Sequence, residues 1–313
     1  MKVLIELPTW LGDAVMTSPA IENIISFDSS AKITFIGSRS AIDLFSFHPN
    51  AANFFVVEKK LLKLYKLSKS LGSFDIFITF RGSLTASLFS FLVKAKKKYQ
   101  YRKNAYSSGH QVEKYNHFIS NIFDFSFVPK KLKIHFKAKA NDNNQPCLGI
   151  NPGASYGAAK RWTSEGFFQI SRDLSRKYKI IIFGGIDDIE SSLEIEKKLK
   201  LHSISNYENL TGKTSIHELV NKISALDLFI TGDSGPMHIA AAFEIPTVSI
   251  FGPTKHHETS QWSNQKNIIV KKSLSCQPCM KRTCPLGHHN CMKLISKEDV
   301  IQAVKSLENG LNI

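Results

Sequence analysis

Residues 230–242 read ITGDSGPMHIAAA. The apolar run ALDLFI stops at Thr231, Gly232, Asp233, Ser234, Gly235 and Pro236, and a helix-prone Met-His-Ile-Ala-Ala-Ala follows at once. Gly232 and Gly235 permit tight or left-handed backbone, and Pro236 fits a first helical turn. A buried strand, six turn-formers and a helix make a βα corner larger than a bare connection needs. In doubly wound sheets, ligands sit at such corners, where the carboxyl ends of strands and the N–H groups of helices face a crevice. These N–H groups suit a phosphate and Asp233 suits sugar hydroxyls. His238, in the first helical turn, reads as part of that site or as a packed core histidine.

Outward from this corner, short β-branched runs alternate with helical-period segments, the pattern of repeated βα units on a parallel sheet. In the first half the expected strands are 2–7, 32–36, 54–57, 75–80 and 133–136, with helical stretches at 17–25, 59–71 and 83–93. The polar segment KAKANDNNQPC, 137–147, reads as a linker. After it the alternation restarts, with strands at 148–151, 179–183, 207–210, 227–231 and 247–251. The expected organisation is an α/β chain of two Rossmann-like domains, residues 1–140 and 147–295, facing each other across a cleft. A last helix over 296–313, opened by a Ser296-x-x-Asp299 cap, is expected to pack back across that cleft.

No apolar run approaches the roughly 20 residues of a membrane-spanning helix. Glu6 and Pro8 interrupt any signal-peptide core, so the start reads as a mature cytoplasmic one. The chain has 41 Lys and Arg against 26 Asp and Glu. Up to Pro146 there are 21 basic and 10 acidic residues, so the first half carries most of the positive field. An anionic macromolecule or a membrane surface is the partner this field suits. The lysines gather in two runs, Lys59, Lys60, Lys63, Lys66 and Lys69, and KAKKKYQYRK at 94–103, which includes Lys98. Either run also reads as a solvated face. A nucleic-acid-binding protein would be basic too, but Tyr99 and Tyr101 are thin support for base stacking.

Three further corners could carry chemistry. In LPTWLGDAVMTSP, after the first strand, Gly12 and Asp13 form the turn. Asp13 reads as a helix cap or as a general base, and Trp10 as core filler or as a stacking platform. In INPGASYGAAKRW, Asn151, Gly153, Ser155 and Gly157 allow close backbone approach and Lys160 with Arg161 supplies two cations suited to a diphosphate; the plainer reading is a solvated basic turn. The loop is not a Walker A sequence. FGGIDDIE at 183–190 and LTGKTS at 210–215, with Thr211 and Gly212, could flank a nucleoside. Asp187, Asp188 and Glu190 there read equally as ribose ligands or as helix N-terminal acids.

Four of the five cysteines crowd into SCQPCMKRTCPLGHHNCM: Cys276, Cys279, Cys284 and Cys291. The first pair has metal-knuckle spacing, so a structural zinc held by four cysteines, or by three and a histidine, is one reading. The irregular later spacings fit a metal-free loop as well.

With these corners placed, the sequence resembles the bacterial ADP-heptose:lipopolysaccharide heptosyltransferases of glycosyltransferase family 9, nearest the heptosyltransferase II type. ELPTWLGDAVMTSPA, NPGASYGAAKRW and TGDSGPMHIAAAFEIPTVSIFGPT carry the resemblance, in order along almost the whole chain. It implies a GT-B fold and inverting transfer from ADP-heptose, without a metal, to heptose I of a Kdo-lipid A acceptor. The expected enzyme is a cytoplasmic monomer, peripheral to the inner membrane and without a nucleic-acid partner. The family's base falls on Asp13 and its diphosphate-contacting lysine on Lys160, with Arg161 beside it. The Asp233, Ser234, Gly235 loop and His238 fall near donor phosphates and sugar, and the ribose acid falls on Asp188 or Glu190. Trp10, Gly12, Lys63 and Lys98 are the expected acceptor contacts. Transfer at another core position, or from another nucleotide sugar, is the alternative within the enzyme class.

Overall fold

The computed structural model describes residues 1–58, 60–106, 108–137 and 145–311. Lys59 and the middle of the expected linker lie outside the described residues. The chain divides into two compact units, Met1–Phe136 and Lys137–Ile313.

The first unit carries β1 (Lys2–Glu6), α1 (Leu11–Met16), α2 (Ser18–Phe27), β2 (Lys32–Gly37), α3 (Arg39–Phe45), β3 (Ala51–Val56), α4 (Leu61–Ser70), β4 (Ser73–Thr79), α5 (Leu84–Leu92), β5 (Lys94–Gln100) and α6 (Gln111–Phe123). The strands form one parallel sheet in the order β3-β2-β1-β4-β5. The central strand, KVLIE, is buried after its first residue because helices cover both faces, which is why it is an unbroken apolar run.

Three differences from the sequence expectation have physical causes. The lysine run at 94–100 is β5, an edge strand whose outward positions need no apolar partner and whose lysines discourage pairing with another chain. Residues 133–136 are not a strand, because side chains rather than a backbone ladder tie them down. The Lys133 N–H donates to Ser18 Oγ at 2.9 Å, and Glu22 collects Lys133, His135 and His48. Glu22 Oε1 and the Nε2 atoms of both histidines lie within 4.8 Å of one another, a geometry that raises the question of a metal. The Asn50 N–H donates to His48 Nδ1, which leaves the His48 proton on Nε2, 3.5 Å from Glu22, and Lys133 pairs with the carboxylate, so histidines gathered around one ion pair account for the group. The third difference is α6, whose apolar residues Val112, Tyr115, Phe118 and Ile119 are buried at helical spacing.

The second unit carries β6 (Cys147–Asn151), α7 (Ser164–Leu174), β7 (Lys179–Ile182), α8 (Ile189–Leu201), β8 (Tyr207–Asn209), α9 (Ile216–Ser224), β9 (Leu228–Gly232), α10 (Gly235–Ala242), β10 (Thr247–Phe251), α11 (His256–Thr259), β11 (Asn267–Lys271), α12 (Asn290–Lys293) and α13 (Lys297–Leu311). Its parallel sheet runs β11-β10-β9-β6-β7-β8. Every residue of β6, β9 and β10 is buried. Ile150, Ile180 and Ile230 in this core are fully buried, each worth about 2 kcal/mol or more of transfer free energy. In α13, Val300, Ala303, Val304 and Leu307 join the same core, packed toward β10, β11 and α7. The apolar face of the last helix is thus spent on the second sheet.

Candidate functional site

In each sheet the strand order reverses at one point, between β1 and β4 in the first and between β6 and β9 in the second. Such switch points open a crevice at the carboxyl ends of the two strands, because their following connections leave in opposite directions.

At the second switch point, Asn151 ends β6 in register with Thr231 of β9. Ser234, which precedes α10, makes no side-chain cap to the helix. Its hydroxyl instead accepts from Asn151 Nδ2 at 3.1 Å and lies 3.1 Å from Thr231 Oγ1. With the capping oxygen turned back into the sheet, the N-terminal N–H groups of α10 keep their positive end for a ligand. Asp233, buried in the turn, is paired with Lys160 at 2.6 Å and accepts from Thr254 Oγ1 at 2.7 Å. Lys160 also lies over the Tyr156 ring, 4.7 Å from its centroid. A Cβ on Gly232 would come within 3.3 Å of the Lys160 carbonyl, so this close approach of the β6 and β9 loops calls for glycine. His238 is buried in the first turn of α10.

The next corner is built around Asp188, which is buried at the start of α8. One oxygen accepts from the Gly185 N–H and the other from Arg161, both at 2.9 Å. A Cβ on Gly153 would lie 2.1 Å from this carboxylate, so the loop after β6 and the loop after β7 are locked together. Asp188 therefore organises the protein, while Glu190, two residues on in the first turn of α8, is exposed. Thr211 is buried, donating to Ser192 Oγ at 2.8 Å, and Gly212 takes a left-handed φ of 72°. Ile186 is exposed at the same corner, its backbone beside Gly212, where the Ile189 side chain also packs.

The cysteine loop docks on these corners. The Ala159 N–H donates to the Arg282 carbonyl at 3.0 Å, and His289 Nε2 meets the Ala159 carbonyl at 2.9 Å. Tyr156 OH donates to the Met280 carbonyl at 2.7 Å, and the Met280 N–H donates to the Pro253 carbonyl at 2.9 Å. Cys276, Cys279, Cys284 and Cys291 line one cavity of about 20 Å³ with Ala159 and His289. That volume holds about one water-sized occupant. Backbone N–H groups, the His289 N–H first, draw the Cys284 thiol below its ordinary pKa. Burial and then the three neighbouring thiols push Cys291 up.

At the first switch point, Glu6 ends β1 in register with Thr79 of β4. Glu6 accepts from Thr79 Oγ1 at 2.6 Å and from Arg81 at 2.7 Å. Burial nonetheless raises its pKa. Asp13 lies in the first turn of α1, half-buried, and the preceding Trp10 makes no side-chain cap. Burial, followed by the Asp13 charge, pushes the Tyr115 hydroxyl well above its ordinary range. Trp10 is 47% exposed, which excludes the core-filling reading, and Gly12 is buried. Lys63 and Lys98 are exposed on α4 and β5.

The sequence reading named Asn151 and the 251–258 corner that contains Thr254 without these pairings, and it did not single out Tyr156, Tyr115 or the Glu6–Arg81 pair at the first switch point. Glu6 had a signal, an acid closing an apolar strand. The others are ordinary polar or aromatic residues until the fold brings them together.

The family model described as glycosyltransferase family 9 (heptosyltransferase) matches residues 64–290. The lipooligosaccharide heptosyltransferase 2 of Campylobacter jejuni subsp. jejuni serotype O:2 is 42% identical, over 98% of this chain and 98% of that protein. Among solved structures, E. coli ADP-heptose lps heptosyltransferase II superposes with a TM-score of 0.83 at 20% identity, covering all of both chains. E. coli heptosyltransferase WaaC with ADP superposes with a TM-score of 0.80 at 15% identity, over 98% of this chain and all of that one. The shared fold is GT-B, two Rossmann-like units of parallel sheet and helices.

Proposed function

Because the chain belongs to glycosyltransferase family 9, the heptosyltransferase family, we propose that it transfers L-glycero-D-manno-heptose from ADP-heptose, with inversion, to the first heptose of the lipooligosaccharide inner core. The observation that carries this reading is the second switch point, where Lys160, the Asp233 turn and the uncapped start of α10 converge. A cation and a helix N-terminus at one corner suit an anionic group such as the diphosphate of a nucleotide sugar.

In the transfer, the acceptor hydroxyl oxygen bonds to the anomeric carbon while the bond from that carbon to the diphosphate oxygen breaks. ADP leaves with the electron pair and Asp13 takes the hydroxyl proton. Lys160, Arg161 and the α10 N–H groups with Ser234 and Gly235 offset the charge that develops on the diphosphate. Asp233 and His238 take the sugar side. Glu190 is the ribose acid, since both oxygens of Asp188 are held within the protein. Thr211, Gly212 and the exposed Ile186 offer the nucleoside a backbone and apolar edge. Trp10, Gly12, Lys63 and Lys98 serve the acceptor, whose Kdo carboxylates and phosphates suit lysine.

No helix among the described residues is long and apolar enough to cross a membrane. The enzyme works as a monomer, peripheral to the cytoplasmic face of the inner membrane where the acceptor lies. Cys276, Cys279, Cys284 and Cys291 line one cavity, with N–H donation to Cys284, which supports a structural zinc ion there; among the described residues the one group whose ligand atoms all lie within 4.8 Å of one another is Glu22, His48 and His135, so the four thiols would have to draw together to hold the ion.

The test is incubation with ADP-heptose and Kdo-lipid A bearing no heptose or one, with product mass as the readout. Extension of the one-heptose acceptor alone is expected. Extension of the heptose-free acceptor would make it a heptosyltransferase of the first position, and no extension of either would overturn the reading.

A further inference from the structure

In α5, LTASLFSFL, the inward residues Ala86 and Phe89 are buried, and Phe89 enters a core cluster with Val93 and with Leu64 of α4. The outward stripe is apolar as well. Leu84, Leu88 and Phe91 recur at i, i+4 and i+7, with Leu84 90% and Phe91 82% exposed. Helix α4 packs beside α5 over the same core cluster and adds exposed Leu61, Leu62 and Tyr65. A solvated helix would place polar side chains at these six positions, and exposed apolar side chains gathered on two neighbouring helices mark a surface built to be covered.

Its surroundings are cationic. From Lys60 to Lys98 the chain has nine Lys and Arg and one acid, Asp75. Lys66 and Lys69 are exposed on α4, Lys69 lying over the Tyr65 ring, and Lys98 reaches the carbonyl of Phe91 at 3.3 Å. Apolar side chains ringed by lysines match an anionic bilayer, in which leucine and phenylalanine enter the acyl boundary while ammonium groups meet the headgroup phosphates. A second copy of this chain would face the same cations across a two-fold axis and be repelled. A nucleic acid would satisfy the lysines but leave Leu84 and Phe91 in water.

We propose that the α4/α5 face is the surface by which this protein docks on, and inserts shallowly into, an anionic lipid bilayer. The inference rests on the peripheral membrane reading above and adds the face and the insertion.

The test is co-sedimentation of the full chain with vesicles of phosphatidylglycerol and phosphatidylethanolamine, against phosphatidylcholine vesicles, which needs no turnover. The wild type is expected to bind the anionic vesicles preferentially. Leu62→Ser/Leu84→Ser/Phe91→Ser, all at exposed sites, is expected to keep the melting temperature and lose about tenfold or more in partitioning. Turnover on a delipidated core acceptor should stay at the wild-type level while turnover on acceptor embedded in vesicles falls. Wild type that ignores anionic vesicles, or a triple variant that partitions like wild type, would overturn the proposal even if heptose transfer is intact. So would equal loss of turnover on both acceptors, which would put the face in the acceptor site. A dimer that the triple variant abolishes would name a second copy as the occupant, and RNA displacing the vesicles would name nucleic acid.

Discussion

Lys160 Nζ lies 2.6 Å from Asp233 Oδ2, joining the loop after β6 to the loop after β9. Both side chains are largely buried, and the same carboxylate oxygen also accepts from Thr254 Oγ1. A diphosphate arriving at α10 would compete with Asp233 for that ammonium group. The pair is thus both a structural tie and a preformed cation site.

Lys160→Ala should therefore do two things. Leaving Asp233 buried without its cation should cost about 3 kcal/mol of stability, the usual penalty for breaking a buried pair. ADP affinity should fall as well. Calorimetric titration with ADP and urea unfolding separate the effects, and Lys160→Met/Asp233→Asn should recover much of the stability without the affinity. Unchanged ADP affinity in Lys160→Ala would end its diphosphate assignment.

Asp13→Asn should leave ADP binding as it is and lower kcat by roughly 100-fold or more, the scale of a lost general base. The comparison is ADP affinity against single-turnover rate. Near-normal turnover would remove Asp13 from the base role.

Gly157→Ala should weaken ADP binding without any contact to the ligand. At a φ of +154°, its Cβ would lie 2.4 Å from the Arg282 carbonyl, so the cysteine loop would have to lift from Ala159. Melting temperature and ADP affinity should fall together, whereas an alanine variant indistinguishable from wild type would mean the docking is dispensable.

The cysteine loop should carry close to one zinc per chain when the protein is purified without chelator, as read by elemental analysis. Cys276→Ser/Cys279→Ser should lose the metal and melt lower, because the same loop holds Ala159 and Pro253. Metal-free wild type with unchanged stability would favour a plain loop.

Acid should loosen the first unit at Glu22. Burial raises its pKa, but hydrogen bonds with His48, His135 and Lys133 outweigh this and hold it well below the carboxylate range. A carboxylate depressed on folding adds stability above its unfolded pKa, about 4.3, and loses it as pH falls below. Burial also lowers the His135 pKa, so its share is lost from about pH 6.5 downward. Urea unfolding from pH 7 to pH 3 should show a steeper decline in wild type than in Glu22→Gln, and equal slopes would contradict the assignment.

The central strands, the βα alternation and the glycine-rich corners were legible because they follow from local rules: a strand buried on both faces must be apolar throughout, and a helix start needs turn-formers. LGDAV, GAAKRW and GDSGP could be picked out on those grounds, with the diphosphate cations among them. Where burial is one-sided the local signal weakens, so the lysine-rich edge strand β5 passed for a surface run. Side-chain tethering at 133–136 passed for a strand.

What the linear order could not supply is which corners meet. Strand order decides that β6 lies beside β9, and only then do Lys160 and Asp233, 73 positions apart, form one pair. The same packing spends both oxygens of Asp188 on Gly185 and Arg161 and leaves Glu190 exposed, a choice that two neighbouring acids in FGGIDDIE do not contain. Residue types and their spacing determined the chemistry available to this protein. Long-range burial decided which of those groups are spent holding the fold and which remain for a ligand, because desolvation and pairing depend on neighbours that the chain brings together only when folded.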